Sequence, residues 1–446
     1  MMSSATAYMI NGFDPARAGE LTEAEQHLIA RRQKVLGPSY KLFYQHPAHF
    51  VRGEGVWLYD PDGNAYLDVY NNVPSVGHSH PRVVEAVAKQ AATLNTHTRY
   101  LHEGIVAYST QLLATYPDEL EHVMYTCTGS EAVDLALRIA RFHTKGTGII
   151  VSANAYHGLT SAVVEISPSM GPNVPLGRHV YAVPAPDQYR AKEGEDIGET
   201  FAADVDAAIK DMQRHGIRFA GMITDMILST DGILTEPRGF FKKAVEVVRA
   251  AGGVFIADEV QPGFGRTGEN MWGFQRHGIV PDMAVMGKPM GNGMPIAGVV
   301  MKPELVAEFG QKVRYFNTFG ANTVCIAAAQ AVLDVINDEG LLANSVTVGR
   351  YMHEGIERIA ERHPRIGDVR SAGLFLGADF VKDPTTKEPD GEYALRVVNR
   401  LRDKRVLISA SGRVGNVLKI RPPLPFKTSD ADVFLNRLEE TLDELG

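Results

Sequence analysis

Gly253-Val254-Phe255-Ile256-Ala257-Asp258-Glu259-Val260-Gln261 and Met283-Ala284-Val285-Met286-Gly287-Lys288-Pro289 are two apolar runs of strand length, each ending in a charged residue. A short apolar run bounded by glycine, proline or a carboxylate has the pattern of a strand buried on both faces. In open α/β sheets ligands bind outside the carboxyl ends of the strands. The pattern therefore brings Asp258 and Lys288 to one mouth, an acid beside a base. Alone, Asp258 has the ordinary reading of a cap or turn residue, and Lys288 that of a solvated lysine. The pair becomes informative because Gly287, Pro289 and Gly291 surround the lysine with backbone that only a specific turn needs.

The same texture extends outward. Gly148-Ile149-Ile150-Val151 and Ala220-Gly221-Met222-Ile223 are further buried-strand runs alternating with amphipathic stretches between about Glu121 and Met301, which predicts a largely parallel α/β sheet. Thr126-Cys127-Thr128-Gly129-Ser130-Glu131 precedes a helical pattern with Val133, Ala136, Leu137 and Ala140 on one face. Thr128 and Glu131 form a capping box, and Gly129-Ser130 leaves the first amides open for a phosphate. Upstream, Thr22-x-x-Glu25 opens a helix to Leu36. Val56–Tyr59 and Ala65–Val69 form a hairpin about Asp60-Pro61-Asp62-Gly63, and Pro81 starts another helix. From about Ala328 the chain turns to long amphipathic helices with two strands, Val406–Ser409 and Asn416–Ile420. A final helix is expected from a Ser429-x-x-Asp432 cap. The expected architecture is α/β: an N-terminal segment, 1–70, whose helix and hairpin pack with the small domain, a large domain with a mostly parallel sheet, 71–325, and a smaller α+β domain, 326–446.

Composition narrows the function. The chain has 446 residues, 44% of them apolar and 22% charged, with a net charge of −8 and no basic run fit for nucleic acid. Its two cysteines, Cys127 and Cys325, make neither a disulfide framework nor a metal set. With no leader-like N-terminus and no membrane-length apolar stretch, the expected location is the cytoplasm. His78-Ser79-His80 lacks a third ligand at a telling distance, so no metal is expected. Gly263-Phe264-Gly265-Arg266-Thr267-Gly268 matches a dinucleotide fingerprint, but Glu269–Gly273 intervenes where a long helix should open. A nicotinamide oxidoreductase is therefore the outside rival.

Taken jointly, Thr128-Gly129-Ser130-Glu131-Ala132, Tyr156-His157-Gly158, Asp258–Gln261 with Gly263–Gly268, Lys288-Pro289 and Thr318-Phe319-Gly320-Ala321-Asn322 resemble the class III aminotransferases, fold type I enzymes that use pyridoxal 5′-phosphate. The resemblance runs over almost the whole chain. It implies that Lys288 carries the cofactor as a Schiff base and that Gly129 and Ser130 hold its phosphate. Tyr156 and Val260 would flank the ring, with His157 in the same cofactor site. Asp258 would pair with the ring nitrogen and keep it protonated, while Gln261 would bond the ring hydroxyl. Thr318 would reach the phosphate of the neighbouring subunit, making a homodimer with a shared active site. Thr224-Asp225-Met226 departs from the usual Glu-Pro, and Asp225 is expected to keep part of that glutamate's role.

Within the class, Asn71-Asn72-Val73, Val76–Pro81, Arg99-Tyr100-Leu101-His102, Tyr315–Thr318 and Asn416–Pro423 are similar to the ethanolamine-phosphate phospho-lyases. Many amino-acid aminotransferases of the class carry an arginine three residues before the Pro-Pro pair, forked onto the substrate carboxylate. This chain has Lys419 there, a point charge without the fork. Arg421, two residues on, would share its face on a strand. The resemblance implies a lyase acting on O-phosphoethanolamine, with an ω-aminotransferase acting on amines as the rival. Lys41, Asn72, Arg99, Lys419 and Arg421 are the candidates for holding the substrate phosphate.

Overall fold

Alternate residues of the central strands face two different apolar layers, which is why their sequences read as continuous apolar runs. The computed structural model describes residues 9–446. Its strands are β1 (Arg52–Glu54), β2 (Trp57–Tyr59), β3 (Ala65–Asp68), β4 (His122–Thr126), β5 (Gly148–Ser152), β6 (Val180–Val183), β7 (Phe219–Asp225), β8 (Val254–Asp258), β9 (Met283–Met286), β10 (Ala297–Met301), β11 (Ile366–Ala372), β12 (Phe375–Phe380), β13 (Val406–Leu407), β14 (Ser409–Ser411) and β15 (Val417–Ile420). The large sheet has the order β4-β10-β9-β8-β7-β5-β6. Within it β9, β8, β7, β5 and β6 run parallel, and β10 is antiparallel to both of its neighbours.

On β8, Val254 and Ile256 join the layer that includes Ala132, Val133 and Ala136 of helix Gly129–Thr144. Phe255 and Ala257 join the opposite layer with Phe201 and Phe241. Each large side chain so buried contributes about 1.5–3 kcal/mol. Covering both faces leaves the strand ends as the place where polar groups can gather. Asp225 and Asp258 sit there side by side, paired in register across β7 and β8.

The N-terminal elements form as expected. Helix Glu23–Leu36 carries the Thr22/Glu25 capping box, β2 pairs antiparallel with β3, and helix Pro81–Thr93 starts at its proline. Three expectations need correction. The strand expected over 406–409 is divided between sheets: β13 runs parallel to β3, whereas β14 pairs with β15. The chain changes sheets at Ile408, whose carbonyl accepts from the buried Tyr44 hydroxyl at 2.9 Å instead of from a neighbouring strand. The last helix spans Thr428–Leu445, beginning before Ser429, because the Asp430 carboxylate takes the Lys427 amide at 2.9 Å. A charged acceptor at a helix start outcompetes a hydroxyl. The hairpin of β11 and β12 was not expected at all. It turns at Gly373, φ +55°, where an added Cβ would lie 2.6 Å from the Arg266 carbonyl oxygen.

Candidate active site

The carboxyl ends of β4, β7, β8 and β9 open onto one cleft, and the loops that follow them deliver its side chains. At the end of β4 the chain enters helix Gly129–Thr144 with Thr128 as cap: its hydroxyl accepts from the Glu131 amide at 3.1 Å. Glu131 does not close the expected reciprocal box. Its carboxylate takes the Cys127 amide instead, at 2.7 Å, one residue earlier. Among the described residues the Gly129 and Ser130 amides have no protein acceptor. They therefore stand free at the positive end of a four-turn helix, the arrangement that binds a phosphate. The cradle is tight. A Cβ on Gly129 would lie 3.2 Å from a Val260 methyl, and one on Gly158 would lie 2.4 Å from the Ser130 hydroxyl oxygen.

Asp258 is buried at the end of β8. One carboxylate oxygen accepts the Val260 amide at 3.0 Å, and the other lies 2.7 Å from His157 Nδ1. Nε2 of His157 is buried without a partner. Tyr156 stands close enough to Asp258 for burial, and then that charge, to raise its phenol pKa. Asp225 is likewise raised, by burial first and then by Asp258 beside it.

Lys288 lies just past β9, in partial contact with solvent. Among the described residues no ion pair or hydrogen bond closes on its ammonium. Burial, then repulsion from Arg421, lowers its pKa to about 8 against the pull of Asp258 and Asp225. Neutral amine is the nucleophilic and basic form, and its fraction falls about tenfold per pH unit below the pKa. Capture of an aldehyde by the cofactor-free protein should therefore accelerate about tenfold per unit from pH 6 and level off near pH 8. Stopped-flow absorbance measures this; a rate still climbing steeply at pH 9 would show an unshifted lysine.

Beyond Lys288 the cleft is lined by a second group. Lys419, on β15, and Arg421, just after it, are both buried and share the Phe375 ring, at 5.8 Å and 6.0 Å from its centroid. Burial, then Arg421, holds the Lys419 pKa well below its usual value. Arg421 Nη1 donates to Asn72 Oδ1 at 3.0 Å and to Gln261 Oε1, and the guanidinium stacks over Tyr70 at 4.5 Å. Gln261 in turn donates to the Ser229 hydroxyl at 2.5 Å.

The structure thus gathers Gly129, Ser130, Tyr156, His157, Asp225, Asp258, Val260, Gln261, Lys288, Asn72, Lys419 and Arg421 about one cleft. Lys41 is not among them; it lies exposed next to the bridge joining Gly12 and Phe43. Arg99 is also exposed, its guanidinium 3.7 Å above the Phe316 ring, and Thr318 lies exposed in the same loop region. Sequence reasoning missed Ser229 and Tyr70, whose roles arise only from contacts between distant loops. It also set aside Arg266 inside the glycine-rich run. That run makes turns, with Gly265 at φ +76° and Gly268 at φ +84°, and leads only to the four-residue helix Gly273–Arg276. Arg266 is fully buried and donates to the Leu374 and Pro422 carbonyls, tying the β11–β12 turn to the segment that carries Arg421.

The donor set fits pyridoxal phosphate: free amides at a helix start, a buried carboxylate, an unpaired lysine amine of lowered pKa and a glycine-lined cradle. Among the described residues there is no cluster of His, Cys, Asp or Glu suited to a metal, and no helix long and apolar enough to cross a membrane. Comparison with known proteins agrees with that fit. The family profile described as aminotransferase class-III matches residues 43–442. A Drosophila melanogaster protein named alanine–glyoxylate aminotransferase 2-like is 40% identical over 93% of this chain and 86% of its own length. Ethanolamine-phosphate phospho-lyase homolog 1 of Caenorhabditis elegans is 35% identical over 98% of each. Among solved structures, a phospholyase from Arthrobacter in complex with phosphoethanolamine superposes with a TM-score of 0.91 at 44% identity. That match covers 94% of this chain and 100% of the other.

Proposed function

Because the chain belongs to the class III aminotransferases, which depend on pyridoxal phosphate, we propose that it is a lyase of that family. It would convert O-phosphoethanolamine and water to acetaldehyde, ammonia and inorganic phosphate. The observation that carries this reading is the pair of buried basic side chains, Lys419 and Arg421, neither of which has a carboxylate within ion-pair distance among the described residues. Burial beside Arg421 disfavours charge on Lys419 until an anion of matching charge enters and stabilises both. A phosphate dianion matches both.

When bound, the cofactor supplies an electron sink for a carbanion next to nitrogen. The residues of the chain do the rest. The Gly129 and Ser130 amides would anchor the cofactor phosphate, Tyr156 and Val260 would confine the ring, and Gln261 would bond its hydroxyl. Asp258, braced by His157, would hold a proton on the ring nitrogen. Lys288, as free amine, takes a proton from the carbon that bears the substrate nitrogen. Arg421 and Lys419 take up the charge of the phosphate as its carbon–oxygen bond breaks. Hydrolysis of the resulting enamine gives acetaldehyde and ammonia, so atoms balance with one water consumed. The same reading makes the working unit a homodimer, in which the exposed Thr318 of one subunit completes the phosphate cradle of the other. The exposed Tyr100, Leu101 and Phe319 support it, since large apolar side chains so placed mark an interaction surface.

The rival is an ω-aminotransferase, in which the carbanion is reprotonated and a keto acid closes the cycle; the name of the Drosophila relative favours it. Stoichiometry separates the two. O-Phosphoethanolamine alone is expected to release phosphate and ammonia in equal amounts over many turnovers, unaffected by pyruvate or 2-oxoglutarate. Turnover that stops after one equivalent and resumes only with a keto acid would establish the aminotransferase.

A further inference from the structure

The two basic side chains of the cleft have no ion-pair partner among the described residues although a carboxylate stands near them. Asp225 is close enough for its charge to act on Lys419, yet it forms no ion pair with Lys419 or Arg421 within 4.0 Å. Both of its oxygens are engaged by its own loop. Oδ1 accepts the Ile227 amide at 3.0 Å, and Oδ2 accepts the Ser229 amide at 3.2 Å and the Ser229 hydroxyl. With its proton given to Asp225, the same hydroxyl oxygen accepts from Gln261 Nε2 at 2.5 Å. That contact fixes which way the Gln261 amide faces, so that its oxygen, and not its NH₂, meets Arg421 Nη1. Asn72 supplies a second neutral oxygen to the same nitrogen. Arg421 is thus held by amide oxygens alone, and its buried Nε has no partner. Ser229 and Asn72 are fully buried.

We propose that Ser229 is a positioning residue that sets the anion selectivity of this cleft. It withholds Asp225 from Lys419 and, through Gln261, turns the unpaired edge of Arg421 toward a phosphate. The proposal rests on the phosphate-binding reading above and adds the device that keeps the site open to a dianion. Losing the hydroxyl leaves Oδ2 only the longer amide contact, so the carboxylate can turn onto Lys419. It also frees the Gln261 amide to rotate. A phosphate, which needs both cations, should suffer more than a carboxylate, which Arg421 alone can hold through its fork.

The test uses the holoenzyme, titrated calorimetrically with inorganic phosphate and with acetate while the visible absorbance of the bound cofactor is checked for constancy. Ser229→Ala is expected to weaken phosphate binding about tenfold or more and acetate binding less than about threefold. Adding Asp225→Asn to Ser229→Ala should restore most of the lost phosphate affinity, because the competing anion is gone. Asp225→Asn alone should change phosphate affinity by less than about threefold, since Asp225 is already withheld. That last variant keeps the proposal open to disproof should Ser229→Ala fail to fold; a tenfold gain in it would show that Asp225 competes for the cations and overturn the idea. Equal losses for both anions with no recovery in the double variant would make Ser229 merely structural and likewise overturn it. A wild-type preference for phosphate that survives Ser229→Ala unchanged removes this proposal alone. A wild-type holoenzyme with no preference for phosphate removes the phosphate reading and this proposal together.

Discussion

Lys288→Ala is expected to abolish the visible absorbance of lysine-bound cofactor and to cut turnover by about 10⁴-fold, the upper range for loss of a positioned general base. The fold should survive. Among the described residues the lysine ammonium makes no hydrogen bond, and Asp258 and Asp225 keep their own partners without it. Removing a charge that Arg421 already opposes leaves no new unpaired carboxylate. The melting temperature should therefore move by no more than about 3 °C. Cofactor binding should weaken without vanishing, because the Gly129 and Ser130 amides and the Asp258 carboxylate remain. A small primary amine that enters the space left by the side chain should restore part of the activity. Absorbance, calorimetry and steady-state rates read these outcomes separately, and a variant with normal absorbance and turnover would remove Lys288 from the mechanism.

What could be read in advance depended on how local the physics was. β7, β8 and β9 were legible because both of their faces are buried, which writes an unbroken apolar run into the sequence. Asp258 and Lys288 stood out because each ends such a run. The β11–β12 hairpin was not legible: Asp368, Arg370 and Asp379 interrupt its apolar residues, and their burial depends on ion pairs with one another and with Arg190. The change of sheet at Ile408 was hidden for a related reason, since the carbonyl is satisfied by Tyr44, 364 residues away in the chain. Lys41 and Arg99 were chosen by charge and by proximity to matched segments, and neither property carries direction. The chain of contacts from Asp225 through Ser229 and Gln261 to Arg421 joins loops after β7, β8 and β15. No spacing within any one loop encodes it.

Asp258→Asn is expected to retain cofactor and fold but to lose turnover by about 10²–10³-fold or more, the scale for removing one preorganised electrostatic contact. The substitution is nearly isosteric, so packing against Val260 and the cradle is kept. Its side-chain oxygen can still accept the Val260 amide, as Asp258 does at 3.0 Å. The new NH₂ then faces His157 Nδ1, which now lies 2.7 Å from a carboxylate oxygen. Two donors cannot face each other, but the imidazole can move its proton to Nε2 and accept at Nδ1. Nε2 is already buried without a partner, so the cost is that of one unsatisfied buried donor, about 1–3 kcal/mol. That is a fraction of the roughly 5–15 kcal/mol by which folded proteins are stable, so the fold should persist with a lowered melting temperature. What the variant cannot replace is negative charge. A carboxylate beside the ring nitrogen favours its protonated form, whereas an amide does not, and an unprotonated ring is a poor sink for the electrons released at the substrate carbon. The loss should fall on kcat, with cofactor affinity changed much less. It should also appear for any amine substrate, because both phosphate release and amino transfer begin with the same proton abstraction. A variant with near-normal kcat would reduce Asp258 to a structural partner of His157. A variant that instead lost the cofactor would show that the carboxylate chiefly binds it and does not chiefly activate it.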